Sequence, residues 1–187
     1  MPGAFGSRGA EGKINCVRYA RENKVPYLGL CYGFQMATIE FARHVCGLAD
    51  ANSTEIDPHC THPVIDILPE QKAIERLGGN MRLGGQIVEV KSGTMAAELY
   101  GTLQSRERFR HRWECNPQYL PLLQEKGLIF SGKAPESQIM QILELPNAVH
   151  PFFLGTQFHP EYSSKPLQPH PFFTGFIRAA SEMPKFT

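Results

Sequence analysis

A cysteine between two glycines, Cys31 in the stretch YLGLCYGFQ, is the first feature of the sequence that could perform chemistry. Gly29 and Gly33 flank it, after an apolar run and before a helical pattern. This layout is typical of a nucleophile elbow, a sharp strand-to-helix turn that holds the nucleophile on a strained backbone. The helix start would also favour the thiolate, because the positive end of the helix dipole lies there. The alternative is a buried packing cysteine, a common environment for a free thiol.

A histidine and a glutamate two residues apart, His159 and Glu161 in QFHPEY, follow the last apolar strand pattern. In an extended segment, side chains at i and i+2 lie on the same side, so the carboxylate would orient the imidazole. The imidazole would then accept and return the proton of the Cys31 thiol. A surface His-Pro turn is the alternative. Together, the cysteine turn and this pair predict a nucleophile with its base.

The length and composition are those of one ordinary globular domain, with 187 residues, 42% hydrophobic content and a net charge of +1. The near-neutral charge gives no indication of a nucleic-acid partner. No stretch approaches the roughly 18 to 20 apolar residues of a membrane span, so no membrane association is expected. The five cysteines are scattered without a CxxC pair. Reduced thiols in a cytoplasmic protein are therefore favoured over disulfides or a zinc site.

The elements that must position these residues alternate between helix and strand, which indicates an α/β fold. The periodicity predicts a helix over residues 12–23, a short buried strand in VPYLGLC, and a helix from Tyr32 that ends near Gly47. Residues 51–63 are rich in turn formers and are predicted to be a loop. In RERFRHRWEC, apolar and basic residues alternate only weakly. Strands are predicted at PVIDIL, QIVEV, LIFSGK, QIMQILEL and, up to its proline, FFLGTQFHPEY, and helices at GTMAAELYG, PQYLPLLQEKG and HPFFTGFIRAASEM.

The order of a cysteine elbow and a distant His-x-Glu resembles the class I (triad-type) glutamine amidotransferases. More narrowly, the chain resembles the glutaminase domain of the CTP synthase family, almost from end to end. The segments that carry this resemblance are PGAFGSRGAEGK, YLGLCYGFQMA, DANSTEIDP, LGGNMRLG, RFRHRWECNP and QFHPEYSSKP. The resemblance implies a flavodoxin-like α/β sandwich with a central, mostly parallel sheet. Residues 1–187 would form a single, partial amidotransferase domain.

The resemblance also implies a catalytic role for each part of the motif set. Cys31 would attack the side-chain amide of L-glutamine, release ammonia and leave a γ-glutamyl thioester. His159 would be the general base and acid, and Glu161 its orienting partner. A tetrahedral oxyanion needs two backbone N–H donors. One is expected at Tyr32, and the other in the loop PGAFG near Gly3 and Ala4.

Substrate recognition is implied for four further residues. Glu55 would bind the α-ammonium group of glutamine, and Arg112 would lie near its α-carboxylate. Phe5 and Gln35 match other substrate-contacting positions. From the residues alone, alternatives stay open: Glu55 as a solvated loop carboxylate, Arg112 on a solvated strand face or in a nucleic-acid patch, and Phe5 in the core. LGGNMRLG would be a lid beside the glutamine site or simply a flexible loop.

The sequence departs from the family pattern in three ways. Ala4 stands where the family has the second glycine of its P-G-G-F-G loop, and a Cβ resists positive φ. The chain begins at this loop, so the sheet is expected to lack its first strands and to be completed by a synthase domain or another chain. No phosphate-binding G-x-x-x-x-G-K-[ST] loop occurs, so ATP and Mg²⁺ are expected only in the absent synthase domain, with no cofactor or metal in this chain.

Three functions remain open from the sequence. The first is the glutaminase part of a CTP synthase, which would supply ammonia for the amination of UTP to CTP and form an oligomer only in the full-length enzyme. The second is a non-catalytic remnant or interaction module that retains the fold without turnover. The third is a stand-alone γ-glutamyl hydrolase, against which the motifs specific to the CTP synthase family argue.

Overall fold

The computed structural model describes residues 1–68 and 81–183. Its helices are α1 (Ala10–Glu22), α2 (Tyr32–His44), α3 (Met95–Tyr100), α4 (Leu120–Glu125) and α5 (Pro171–Ser181). Its strands are β1 (Tyr27–Leu30), β2 (Ala51–Ser53), β3 (His62–Asp66), β4 (Arg82–Val90), β5 (Gln104–His111), β6 (Glu114–Cys115), β7 (Ile129–Lys133), β8 (Met140–Glu144) and β9 (Phe153–Thr156). Short 3₁₀ helices cover Pro117–Tyr119 and Pro160–Tyr162.

The main sheet has the strand order β1-β9-β8-β7-β4-β5, and a small second sheet has the order β2-β3-β6. The β1 and β9 strands pair in parallel, with Leu30 opposite Thr156, whereas the other described pairs of the main sheet are antiparallel. The predicted α/β fold is confirmed. Parallel pairing is confined to β1 and β9 in this sheet, because short connections such as residues 134–139 can only join antiparallel neighbours.

Two hydrophobic cores cover the two faces of the β1–β9 pair. Tyr27 and Phe153 lie in the core formed with α1 and α2, and Leu28 and Leu154 lie in the core that includes Phe172 of α5. Because successive strand residues point to opposite faces, a strand that is apolar at each position can serve both cores. This double burial explains why the two short apolar runs form the centre of the fold.

Most predicted elements are confirmed, with shifts at their ends. The loop prediction for residues 51–63 is wrong at Ala51–Ser53, which form β2 because they pair in parallel with β3. The weakly alternating RERFRHRWEC is β5 followed by β6, and its exposed arginines alternate with buried residues. Residues 82–84, the end of the predicted lid or flexible loop LGGNMRLG, begin the long strand β4 instead. Residues 77–80, the first half of the predicted lid, lie outside the described residues.

The described chain contains no helix that is both long and apolar enough to cross a membrane.

The core behind β9 provides a test of this fold. Leu154 is fully buried, so Leu154→Ala should lower the free energy of unfolding by about 2–5 kcal/mol through lost burial and a residual cavity. Leu167→Ala is the matched control, because Leu167 is 99% exposed and its truncation should change stability by less than about 0.5 kcal/mol. Urea denaturation measures both. Equal stability of the two variants would contradict the described packing.

Candidate active site

Cys31 occupies a sharp turn between β1 and α2, as the sequence predicts. Its backbone has φ 51° and ψ −95°, a conformation that L residues rarely adopt. The Cys31 N–H donates a 2.6 Å hydrogen bond to the carbonyl of Thr156, the last residue of β9. Strained backbone of this kind persists only where the surrounding structure holds it, and it is frequent at active sites. The predicted elbow geometry is confirmed.

The flanking glycines are required by close contacts. A Cβ on Gly29 would lie 2.6 Å from the hydroxyl oxygen of Tyr27 and 2.8 Å from the carbonyl carbon of Gly33. A Cβ on Gly33 would lie 2.9 Å from the carbonyl oxygen of Met1. Neither glycine has positive φ among the described residues. Their role is therefore to let the turn, the preceding strand and the first residue approach one another.

His159 and Glu161 form the predicted pair, with His159 Nδ1 donating to Glu161 Oε1 at 2.6 Å. The geometry differs from the extended segment expected from sequence, because Pro160–Tyr162 form a 3₁₀ helix that returns Glu161 to the imidazole. The backbone N–H of His159 donates to the carbonyl of Arg108 on β5, and this bond holds the segment in place. The second ring nitrogen, Nε2, is buried without a hydrogen-bond partner in the described part of the chain. This nitrogen is therefore free to accept a proton.

The charges of the pair and the thiol are set by burial and by each other. Burial alone would raise the pKa of Glu161, but the hydrogen bond from His159 and further contributions outweigh it and hold that pKa below its usual value. Burial raises the pKa of Cys31 to about 12, and a hydrogen bond from the Tyr32 backbone only partly offsets it. In the substrate-free site the hydrogen bond at the helix start favours the thiolate, as expected, but burial has the larger effect on the pKa of Cys31 and favours the thiol.

One cavity of about 630 Å³ joins these groups to most of the other predicted site residues. Such a volume suits a small ligand. Tyr32 is the exception, because its side chain is buried behind the cavity and only its backbone was predicted to act. The predicted residues that line the cavity are Gly3, Ala4, Phe5, Cys31, Gln35, Glu55, Arg112, His159 and Glu161.

The loop that contains Gly3 and Ala4 packs directly against the Cys31 and His159 side chains. A Cβ on Gly3 would lie 3.0 Å from His159 Cε1 and 3.8 Å from Cys31 Cβ. Ala4 is absent from the described non-glycine residues with positive φ, which are Lys24, Cys31 and Glu136. The alanine therefore introduces no backbone strain, whereas a side chain at Gly3 would require His159 or the loop to move by a few tenths of an ångström.

The polar groups predicted to bind substrate lie at the cavity with different partners. Burial raises the pKa of Glu55, which accepts a 2.9 Å hydrogen bond from the Gly6 N–H and feels the charge of Arg112. Arg112 is exposed. Gln35 is buried and donates to the carbonyl of Trp113, while its side-chain oxygen has no partner among the described residues. Phe5 is 87% exposed, so the reading of Phe5 as a core residue is wrong.

Sequence reasoning missed several residues at the cavity. Tyr162 stacks on His159 with ring centroids 5.0 Å apart and an angle of 21°, and its position after His-Pro-Glu was a usable signal. His111 is buried, with Nε2 2.8 Å from Glu114 Oε1, and Arg82 Nε donates a hydrogen bond to the same oxygen at 2.8 Å. Such a buried cluster braces the chain on both sides of Arg112. The other lining residues that were missed are Pro2, Met81, Arg110 and Trp113.

Comparisons with known proteins agree with this geometry. The family model "Glutamine amidotransferase class-I" matches residues 1–179. The chain is 57% identical to a CTP synthase of Archaeoglobus fulgidus over 180 residues, which are 96% of this chain and 34% of that protein. It is 54% identical to a CTP synthase of Pyrococcus furiosus over 183 residues, or 97% of this chain and 34% of that protein. The chain thus spans about a third of the length of these curated relatives.

Among solved structures, the chain is similar to the glutaminase domain of Trypanosoma brucei CTPS with bound acivicin. The TM-score is 0.89 at 36% identity, and the match covers 99% of this chain and 71% of that chain. A glutamine amidotransferase from Thermotoga maritima matches with a TM-score of 0.52 at 16% identity, over 86% of this chain and 54% of that chain. At that identity the likeness supports the fold alone.

The contact at Gly3 generates a specific test. Gly3→Ala should lower the rate of covalent reaction at Cys31 with a glutamine-like electrophile by about tenfold or more, because a Cβ 3.0 Å from His159 must displace the loop or the imidazole. Gly12→Ala in α1 is the matched control, because its Cβ would meet nothing within 4 Å. Mass spectrometry of the labelled chain follows both rates. Equal rates would show that the loop does not pack as described.

The raised pKa of Cys31 predicts an unusual pH dependence of alkylation by iodoacetamide. Because the thiolate is the reacting form, the rate in the folded chain should keep rising from about pH 7 to about pH 10, towards a pKa of about 12. In the urea-unfolded chain the rate should level off above the ordinary cysteine pKa of about 8.5. A plateau below about pH 9 in the folded chain would show that burial does not control this thiol.

Proposed function

The chain belongs to the class I glutamine amidotransferase family, and we propose that it is the glutamine-hydrolysing part of a CTP synthase. In this proposal the chain converts L-glutamine to glutamate and ammonia. The ammonia then serves the amination of UTP to CTP in a synthase domain that is not part of this chain. The relatives that suggest this function are CTP synthases, and the chain spans about a third of their length.

The observation that carries the proposal is the meeting of three groups at one cavity. The strained turn presents Cys31, the imidazole of His159 has Nε2 free, and Glu161 holds Nδ1 at 2.6 Å. A hydrogen bond to Nδ1 leaves the proton-accepting lone pair on Nε2, the tautomer that a general base needs. A packing cysteine would have no reason to share a cavity with such a pair.

The order of proton transfer follows from the electrostatics. The thiol is protonated at neutral pH because its pKa lies near 12, so attack on the glutamine amide requires transfer of its proton to His159 Nε2. The resulting imidazolium is stabilised by Glu161, whose pKa is held low. The same proton then passes to the leaving ammonia, and water hydrolyses the γ-glutamyl thioester with His159 again as base. The oxyanion of each tetrahedral intermediate would accept hydrogen bonds from the backbone N–H groups of Tyr32 and the Gly3–Ala4 loop.

The substrate's α-amino and α-carboxylate groups find opposite charges at the cavity. Glu55 would bind the α-ammonium group. Burial raises the pKa of this carboxyl group because it removes water from the charged form, and the bound cation would stabilise that charged form again. Arg112 would contact the α-carboxylate, and Gln35 has a side-chain oxygen available for a further donor. L-Glutamine is the proposed substrate, ATP and Mg²⁺ would act only in the synthase domain, and oligomers would form only in the full-length enzyme.

Glutamine hydrolysis by the purified chain is the direct test. We expect release of glutamate and ammonia that Cys31→Ala abolishes, and loss of acivicin labelling in the same variant. Glu161→Gln should lower kcat by about tenfold or more, because the imidazolium formed during the reaction loses its counter-charge. Cys46→Ala is the matched control, because Cys46 packs against a core away from the cavity.

Two outcomes would contradict the proposal. A folded wild-type chain that neither hydrolyses glutamine nor reacts with acivicin would favour the non-catalytic module. Hydrolysis of γ-glutamyl peptides in preference to glutamine would favour the γ-glutamyl hydrolase.

A substitution at Glu55 tests the recognition of the α-ammonium group. Glu55→Gln retains an oxygen that can accept the Gly6 N–H but removes the negative charge. KM for glutamine should rise by about tenfold or more while kcat changes little, because the contact is equal in the ground and transition states. Steady-state kinetics separates the two constants. A fall in kcat at constant KM would assign Glu55 to the chemical step instead.

A further inference from the structure

We propose that the hydroxyl group of Tyr32 is a positioning group that holds the Pro2–Gly6 loop over the active site, so that its backbone donors face the reacting amide. The expected effect on kcat rests on the proposed function. The hold on the loop depends only on contacts within this chain. From the sequence, only the backbone N–H of Tyr32 was expected to act.

The clamp is a pair of hydrogen bonds on one residue of the loop. The hydroxyl of Tyr32 donates to the carbonyl of Gly6 at 2.6 Å, and the N–H of Gly6 donates to Glu55 at 2.9 Å. The second bond involves an ionisable carboxylate, and charge-assisted bonds are the stronger kind. Gly6 has φ +73°, a conformation that a side chain would oppose. This end of the loop is therefore held through both the carbonyl and the N–H group of Gly6.

The other end of the loop is fixed beside β1. The backbone nitrogen of Met1 donates to the carbonyl of Leu28 at 2.6 Å, and the carbonyl of Met1 accepts from the N–H of Leu30 at 2.9 Å. The residues between the two anchors, Pro2 to Phe5, are exposed and line the cavity. The loop is thus a short bridge across the site, attached at each end.

The bridge carries backbone donors without acceptors. Within residues 1–68 and 81–183, the N–H groups of Gly3, Ala4 and Phe5 make no hydrogen bond, although the same loop packs on His159. These exposed donors need give up no bond within the described chain when an oxyanion forms, only their bonds to water. They stabilise it only if their positions are set beforehand, because reorganisation during the reaction would consume the gain.

Tyr32 is suited to set those positions because it is connected to both proposed oxyanion donors. One is its own backbone N–H, and the other belongs to the loop that its side chain holds. The backbone N–H of Tyr32 lowers the pKa of Cys31, and its side chain reaches the far end of the loop. The ring is buried, so its hydroxyl has little freedom, and the Lys13 ammonium lies 5.8 Å from the ring centroid. Loss of the hydroxyl would leave the nucleophile turn unchanged and release one side of Gly6.

The substitution Tyr32→Phe removes only this hydroxyl. We expect kcat for glutamine to fall by about tenfold with KM changed by less than about twofold, since displacement of a donor costs less than the roughly 100-fold loss on its removal. Alkylation of Cys31 by iodoacetamide should stay within about twofold of wild type, because that reaction needs no oxyanion donor. Exchange of the Gly6 amide hydrogen, followed by NMR, should accelerate by about tenfold or more as the loop end is released.

Tyr100→Phe is the matched control. It also removes a buried phenol hydroxyl, one that donates to Glu107 at 2.7 Å away from the cavity. It should leave kcat, KM and the Gly6 exchange rate at wild-type values.

The outcomes separate this inference from the proposed function. If Tyr32→Phe keeps the wild-type exchange rate at Gly6, the clamp does not exist. If exchange accelerates while kcat is unchanged, the clamp exists but does not position the donors, and the proposal is overturned. A wild-type chain without glutaminase activity refutes the proposed function, and the Gly6 exchange rate still decides whether the hydroxyl holds the loop.

Discussion

The parallel pairing of β1 with β9 is the constraint on which the site depends. With Leu30 opposite Thr156, both strands end at the same edge of the sheet. Cys31 follows the first strand directly, and His159 lies three residues beyond the second. The hydrogen bond from the Cys31 N–H to Thr156 continues this pairing into the turn. Sites at the carboxyl ends of parallel strands are a general feature of α/β folds, because neighbouring chain ends converge there.

Burial disfavours a stable thiolate at Cys31 before substrate binds. The thiol is kept protonated because its surroundings exclude water, while the negative charge of Glu161 is compensated by the histidine. Burial therefore disfavours negative charge on the sulfur in the substrate-free site. Such an arrangement suits an enzyme whose nucleophile must avoid oxidation and alkylation between turnovers, since the thiolate is the reactive form.

The polar groups around the cavity serve the fold and the site together. Glu55 holds the loop through Gly6 and is also the proposed partner of the substrate ammonium, so substrate binding acts on the same carboxylate that anchors the loop. The buried cluster of His111, Glu114 and Arg82 braces the corner that carries Arg112. Removal of Arg82 would take the permanent positive charge away from the fully buried carboxylate of Glu114, which is costly. The site is therefore inseparable from the packing of the strands beside it.

Local sequence determined the β1–α2 elbow and the His159–Glu161 pair, because spacing, glycines and apolar periodicity act within a few residues. The family motifs added Glu55 and Arg112, which no local rule joins to Cys31. Tertiary structure alone decided the 3₁₀ turn that aims Glu161, the stacking of Tyr162, the strand at Ala51–Ser53 and the absence of positive φ at Ala4. It also decided the protonation of Cys31. Each depends on what other segments of the chain place nearby, and burial and pairing between distant residues cannot be read from the residues' own order.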